Sequence, residues 1–256
     1  MPESSENVTP TATPPPAEET ATPQNEGLRF STQSTGQQFE VAVLALQNLT
    51  IFPETVIPLG IGRPRSLAAV EAALATPEKL LGCITVRPES SDDTDAKPAD
   101  LYEVGTLVMI KRMERSENGM RIIAQGTERI RVIEWKQEDP FLRAIVEILP
   151  EPRIVDTDQV EAAKRNLQQM IQEAMSLLPN IPPEVRIAVL GSADAVRLCY
   201  FLASVLNLGV EEEQKMLEAN TADELVRLAH AALARELEIL QLRSKIASEA
   251  QTEMDK

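Results

Sequence analysis

The chain has 256 residues, of which 43% are hydrophobic and only 3% aromatic, so it can form one large domain or two ordinary ones with aliphatic cores. Its formal net charge of −15 disfavours nucleic acid as a partner, because phosphate backbones are bound through lysine and arginine. The single histidine, His230, excludes a multi-histidine metal site, and no apolar run reaches the ~20 residues that a membrane helix needs.

The chain begins with a segment that is poor in apolar residues. Residues 1–27 are rich in Pro, Thr, Ser and Glu and contain no Lys or Arg. Such a composition cannot offset the entropy of ordering, so we predict a disordered acidic tail over residues 1–38. The tail lacks the basic and apolar regions of a signal peptide, and we expect a cytoplasmic protein. In a reducing cytoplasm, Cys83 and Cys199 are predicted to be buried free thiols.

Residues 39–152 read as a mostly antiparallel β-domain, a barrel or a sandwich, interrupted by one helix. Pro58 indicates that its strand is an edge strand or is bent. The helix is predicted over Arg65–Ala75 with Ser66 as its N-cap. The strands are predicted at Glu40–Gln47, Val56–Gly62, Lys79–Arg87, within Glu103–Trp135, and at Phe141–Leu149.

Turn signals divide this strand-rich region. The Asn-Gly pair in Ser116–Gly119 is a strong hairpin signal, and Gly126–Arg129 is predicted to be a second reversal. Pro88–Asp100 is predicted to be an acidic solvated loop. Its aspartates raise the question of calcium, but the spacing, the glycine and the final glutamate of an EF-hand are absent.

Residues 153–256 read as a helical bundle. The last helix begins at a capping box, Thr221–Glu224, and is predicted to reach Lys256, about 50 Å away. It carries a coiled-coil-like seam and is longer than a small domain needs, so we expect it to lead toward another module. The seam consists of Val226, Leu233, Leu237, Leu240 and Ala247. The preceding helices are predicted at Val160–Leu178, after Ile181–Glu184, at Ser192–Asn207 with Gly191–Asp194 as its cap, and at Val210–Ala219.

The sequence contains no recognisable catalytic motif. Gly60–Ser66 begins like a dinucleotide-binding loop but lacks its third glycine, G-x-S-x-G does not occur, and His230 lies in an amphipathic helix. The remaining candidate for a functional site is an apolar surface. Phe52, Val56, Ile57 and Leu59, near a proline-bent edge, can either form part of the core or expose an apolar groove that marks a protein partner. An open edge can also add an extended peptide strand.

Five stretches of the sequence resemble the N-terminal region of the ATP-dependent Lon protease family. The two most specific contain "FPETVIPL", followed by a helix introduced by Gly-Arg, and "DLYEVGT", followed by a hairpin and "GTERIRV". The others are "PFLRAIVEILPEP", "IPPEVRIAVLGSADAVRLCYFLASVLNL" and "LARELEILQLRSKI". Together they cover most of residues 40–246.

The resemblance implies an α+β fold, in which a PUA-like β-domain precedes a helical bundle with a long C-terminal helix. It also implies a non-catalytic region that binds unfolded or misfolded polypeptides and helps to assemble a homo-hexamer. In the family an AAA+ ATPase module, which uses ATP and Mg²⁺, and a Ser-Lys protease domain follow. This chain contains neither motif, so we expect it to need no cofactor. The candidate substrate-binding residues on its surface are Phe52, Pro53, Val56, Ile57 and Tyr102.

Three other functions stay open from the residues alone. The first is a free-standing Lon-domain adaptor or holdase without motor or protease. The second is a PUA-like RNA-binding protein, against which the net charge argues. The third is an enzyme whose active-site residues follow no known motif.

Overall fold

The computed structural model describes residues 36–90, 95–117, 119–177, 194–206 and 208–254, and within these ranges the chain is an α+β protein with a mixed six-stranded sheet and five α-helices. The strands are β1 Gln38–Leu46, β2 Val56–Ile61, β3 Leu80–Thr85, β4 Val104–Ser116, β5 Gly119–Gln137 and β6 Leu142–Ile148. The helices are α1 Pro64–Leu74, α2 Thr157–Leu177, α3 Ala195–Val205, α4 Val210–Glu218 and α5 Ala222–Met254. None of the described helices is long and apolar enough to cross a membrane.

The sheet closes on itself through β5, whose 19 residues pair with three strands. One edge of β5 pairs with β4, while the other pairs first with β2 and then with β6. Because β6 pairs with β1, β1 with β3, and β3 with β4, five strands form a closed ring. The β1–β3 pair is parallel and the other pairs are antiparallel. Of the two predicted mostly antiparallel architectures, a barrel or a sandwich, the structure shows the barrel, and of the two interpretations of Pro58 it shows an edge strand, because β2 pairs only with β5.

The predicted reversal at Gly126–Arg129 is wrong, because β5 continues straight through this segment. Leu107 pairs with Glu128 and Val108 with Gly126, so Thr127 is the extra residue of a β-bulge. Its hydroxyl donates a hydrogen bond to the Leu107 carbonyl at 2.9 Å. Gly126 serves a close approach instead of a turn, since a Cβ there would lie 2.2 Å from the Phe52 carbonyl oxygen.

The start of α1 also differs from the prediction. The helix begins at Pro64, after an N-cap residue, Arg63, that makes no side-chain capping bond. Proline suits the first helical turn, where its missing N–H has no helical partner. Ser66 therefore lies inside the helix and is not its N-cap. The β4–β5 hairpin, by contrast, falls where Asn-Gly predicted it, with Ser116 paired to Gly119 and Gly119 at φ +145°.

The helices follow their apolar periodicity closely. The Asp194 carboxylate caps α3 by accepting a hydrogen bond from the Val196 N–H at 2.7 Å, as expected. The Thr221 hydroxyl accepts one from the Glu224 N–H at 3.2 Å at the start of α5. The first part of the predicted seam is buried, and two of its residues, Val226 and Leu233, belong to the core of the helical part, while Leu237 is buried outside that cluster. The helix expected after Ile181–Glu184 and the acidic tail up to residue 35 lie outside the described residues.

Candidate functional site

Two of the five predicted surface residues are buried at the junction between the sheet and the helices. Phe52 is 1% exposed, and its ring stacks on that of Tyr200 in α3 with 5.6 Å between the ring centroids. Phe52 belongs to the same apolar cluster as the core of the helical part, and Pro53 beside it is also buried. The β1–β2 loop packs into the helices, so these two side chains are not on the surface where we predicted them.

Arg129 is the main polar contact of this junction. It is 3% exposed, and its Nη1 donates hydrogen bonds to the carbonyls of Leu217, at 2.9 Å, and Ala219, at 2.6 Å. Its Nη2 donates to the carbonyl of Pro150. The first two carbonyls lie at the C-terminal end of α4, where a cation also interacts favourably with the helix dipole. Burial lowers the pKa of the Arg129 guanidinium, so holding it here costs free energy.

Other polar contacts tie the β1–β2 segment and β4 to the helices. The Thr50 N–H donates to Glu213 Oε2 at 3.0 Å, and Arg197 Nη2 lies 2.7 Å from Glu54 Oε1. Gln214 Nε2, in a side chain that is 2% exposed, donates to the Val104 carbonyl at 2.9 Å. The segment "FPETVIPL" therefore starts as an anchor in the helical part before it becomes β2.

Val56 and Ile57 begin β2, beyond this anchor. Val56 is 61% exposed, while Ile57 is half-buried against the barrel core. The Thr55 carbonyl accepts a hydrogen bond from the Gly126 N–H at 2.9 Å, on the β5 side. Backbone groups point alternately to the two sides of a strand. Val56, Pro58 and Gly60 therefore direct theirs to the outer edge, which no other strand of the described chain pairs.

A cleft of about 400 Å³ runs along the second half of β2. Its opposite wall is the end of β1, and the start of α1 contributes Arg63 and Arg65. Arg63 Nη2 donates to Gln47 Oε1 at 3.2 Å, and Arg65 donates to the carbonyls of Ala96 and Glu138 at 3.0 Å each. The two guanidinium groups are thus held at the edge of the cleft.

Tyr102 lies in a different opening. It lines a cleft of about 800 Å³ between the sheet and helices α4 and α5, and the Arg87 guanidinium carbon lies 4.7 Å from the centre of its ring. Partial burial, with the nearby carboxylates of Glu211 and Glu89, raises the pKa of its phenol. Tyr102 thus offers a neutral ring and hydroxyl at neutral pH. The structure does not bring it together with Val56 and Ile57, and the role of all five predicted residues in binding stays a prediction.

The described residues offer little for covalent chemistry. They contain no group of three or more His, Cys, Asp or Glu side chains that could hold a metal ion. Both cysteines are buried and free, as predicted, and burial raises the pKa of Cys83 and, to about 12, that of Cys199. Neither thiol is therefore a ready nucleophile. His230 is exposed. The geometry favours binding through surface and strand edge.

Sequence reasoning missed the residues of the junction. Arg129 and Gln214 are buried and Glu213 is half-buried, but all three lie in strands or helices that also carry exposed polar residues, so no local pattern distinguishes them. The available signal was Gly126, because a glycine inside a strand pattern can mark a close backbone approach as well as a turn.

Known proteins resemble the chain over most of this architecture. The family model described as the ATP-dependent protease La (LON) substrate-binding domain matches residues 40–235. The Lon protease of Nitrosococcus oceani is 37% identical over 215 residues, which are 83% of this chain and 27% of that protein. The Lon protease of Dictyoglomus thermophilum is 34% identical over 84% of this chain and 26% of its own length. The chain thus spans about a quarter of the length of these curated relatives.

Solved structures share the fold. The N-terminal domain of the Mycobacterium avium complex Lon protease superposes with a TM-score of 0.60 at 18% identity, over 77% of this chain and 98% of that domain. The Lon N-terminal domain protein from Xanthomonas campestris gives a TM-score of 0.54 at 17% identity, over 75% and 98%.

Proposed function

Because the chain belongs to the family of substrate-binding domains of ATP-dependent protease La (Lon), we propose that it is the non-catalytic region of a Lon protease that recognises unfolded or misfolded polypeptides. In this proposal it also contributes to the assembly of a homo-hexamer. The ATPase module, with ATP and Mg²⁺, and the Ser-Lys protease domain belong to the whole protein, an ATP-dependent serine endopeptidase of the cytoplasm.

The proposal includes the finer organisation that we expect from the sequence. Residues 39–152 form the PUA-like β-domain, which captures substrate. Residues 153–256 form the helical part, whose long last helix leads toward the ATPase module.

The observation that carries the proposal is the exposure of Val56 on an open strand edge that is anchored to the helices. At 61% exposed, Val56 is a branched apolar side chain that gains from contact with another apolar group. Unfolded polypeptides display apolar side chains that folded proteins bury, so such a surface distinguishes the two. Arg63 and Arg65 beside β2 add positive charge in an otherwise acidic chain.

The proposal is tested by measuring the affinity of the chain for one polypeptide in its folded and in its permanently unfolded form. We expect tighter binding of the unfolded form. Val56→Asp should weaken that binding about threefold to tenfold, because the lost apolar contact and the added charge each disfavour it. The fold should survive, since Val56 is exposed.

Val155→Asp is the matched control, because Val155 is 74% exposed and lies outside β2. It should leave the affinity unchanged. Equal affinity for the folded and unfolded forms would refute recognition of unfolded polypeptide. Equal losses in the two variants would show that β2 has no special part in it.

The size of the native protein separates a Lon protease from a free-standing Lon-domain adaptor. An antibody against residues 100–135 should detect a band several times heavier than 28.2 kDa in source cells if a motor and protease are present. A band near 28.2 kDa would favour the adaptor or holdase.

A further inference from the structure

We propose that the outer edge of β2 binds substrate by strand addition, so that an extended polypeptide segment pairs its backbone with Val56, Pro58 and Gly60. This inference rests on the proposed function and specifies how the same surface holds its substrate. Recognition through backbone groups tolerates many sequences, which suits a region that must accept unrelated unfolded polypeptides.

The outer edge offers hydrogen-bonding groups at strand spacing. The N–H groups of Val56 and Gly60 and the carbonyls of Val56, Pro58 and Gly60 point away from β5. Within the described ranges no backbone hydrogen bond reaches them from another element. An edge with unpaired donors and acceptors is a template for another strand.

The opposite wall of the 400 Å³ cleft presents a second open edge. The Leu46 carbonyl accepts a hydrogen bond from the Val86 N–H at 2.8 Å on the β3 side, so Ala45 and Gln47 point their backbone groups the other way. The pairing of β1 with β6 ends at Val43, opposite Leu142. Within the part of the chain that the structure describes, the cleft is therefore bordered by unpaired strand edges on two sides.

Charge and shape indicate a polypeptide as the occupant. Among the described residues that line the cleft, Arg63 and Arg65 face one carboxylate, that of Asp95, so this part of a chain of net charge −15 favours a neutral or acidic segment. Gly60 is exposed, and an added Cβ there meets nothing within 4 Å, so the face of β2 beside the outer edge is also open. A backbone can approach there closely.

Pro58 limits the strength of the interaction. It has no N–H, so the middle of the outer edge accepts but does not donate. The edge therefore holds an extended segment through fewer hydrogen bonds than a full strand would provide. It also pairs less readily with a second copy of the chain. Weak and reversible pairing suits a substrate that is later moved onward.

The test uses the full chain and a fluorescent peptide of roughly ten residues with alternating threonine and valine, a length typical of a strand. Gly60→Pro removes an outward N–H and should weaken binding about fivefold to tenfold. Gly60→Ala retains that N–H and should bind within about twofold of the unmodified chain. Pro58→Ala adds a donor and should tighten binding severalfold, a gain that misfolding cannot produce.

A second peptide with the same side chains carries esters in place of its central amides, which removes its N–H donors. We expect it to bind on the order of tenfold more weakly. Equal affinity of the two peptides would overturn strand addition and leave recognition through side chains. No binding of either peptide, or of unfolded protein, would overturn the proposed function as well.

Sedimentation of the free chain tests whether a second copy of the chain, and not substrate, occupies the outer edge of β2. We expect the same sedimentation coefficient for the unmodified chain and for Gly60→Pro. A dimer that Gly60→Pro converts to monomer would show that the edge is occupied by a second copy, and would overturn the assignment to substrate.

Discussion

Replacing Arg129 by Met should separate the stability of the sheet from that of the helices. Methionine fills most of the volume of the arginine side chain but cannot donate a hydrogen bond. The carbonyls of Pro150, Leu217 and Ala219 would each lose a charged donor inside the protein. Because these carbonyls lie in or beside the helical part while Arg129 lies on β5, the loss falls on the junction.

The magnitude follows from the three hydrogen bonds and the cost of burying the charge. A hydrogen bond to a charged group contributes about 1.5–3 kcal/mol to stability. The desolvation of a guanidinium that is 3% exposed offsets part of this, as its lowered pKa shows. We therefore expect the free energy of unfolding to fall by roughly 3 kcal/mol, which shifts a urea midpoint by about 1–2 M.

The assay is urea unfolding followed by two probes. Far-UV circular dichroism reports mainly on the helices, and the fluorescence of Trp135, the only tryptophan, reports on β5. The two curves should coincide in the unmodified chain and diverge in Arg129→Met. Arg131→Met, at an exposed position of the same strand, should change the free energy of unfolding by no more than about 0.5 kcal/mol. The reasoning fails if both variants have the same midpoint.

Three further changes test the junction. Gly126→Ala places a Cβ 2.2 Å from the Phe52 carbonyl and should lower the melting temperature markedly, whereas Gly60→Ala, into open space, should not; similar losses in both would contradict this. Phe52→Ala should cost about 3–5 kcal/mol in urea unfolding, and a loss below ~1 kcal/mol would show that the ring does not anchor the loop. Burial raises the pKa of Glu213 above its usual 4.5, although the Thr50 N–H opposes this shift. The folded chain therefore loses stability as pH rises from 4.5 through that raised pKa, and Glu213→Gln should remove this loss. If the difference in unfolding free energy between the unmodified chain and Glu213→Gln is the same at every pH, this reasoning is refuted.

The elements with a regular local pattern could be predicted from the sequence. The strands around the barrel and helix α2 appear where alternation or a 3.6-residue period predicted them, because one face of each is buried. The hairpin at Asn-Gly could likewise be predicted locally, because both residue types accept the positive φ that a tight turn requires. Pro58 also indicated an edge strand, because proline has no backbone N–H to donate and an edge strand can lack that donor on its unpaired side.

The candidate site was harder to predict, because its geometry depends on contacts between distant parts of the chain. From the sequence, Phe52 could belong to the core or to an exposed groove, and only its packing against Tyr200 shows that it is buried. Gly126 carries no local sign of whether it turns the chain or admits a neighbouring backbone. Tyr102 and Val56 both belong to specific motifs, yet Tyr102 lines the cleft between the sheet and the helices, whereas Val56 is exposed on β2 and lines neither cleft.

The position of β2 connects an exposed strand edge to the helices through a short stretch of chain. Three residues separate the buried ring of Phe52 from the exposed side chain of Val56, and between them Glu54 pairs with Arg197 of α3. If β2 holds an extended polypeptide, a force that pulls on it acts on a strand whose start is fixed in the helical core. That core also contains Val226 and Leu233 of α5. Under the proposed function, the load would pass from the β1–β2 loop into the apolar core that α5 shares, so an anchor and a binding edge in one motif would transmit a pull on the substrate to the helices.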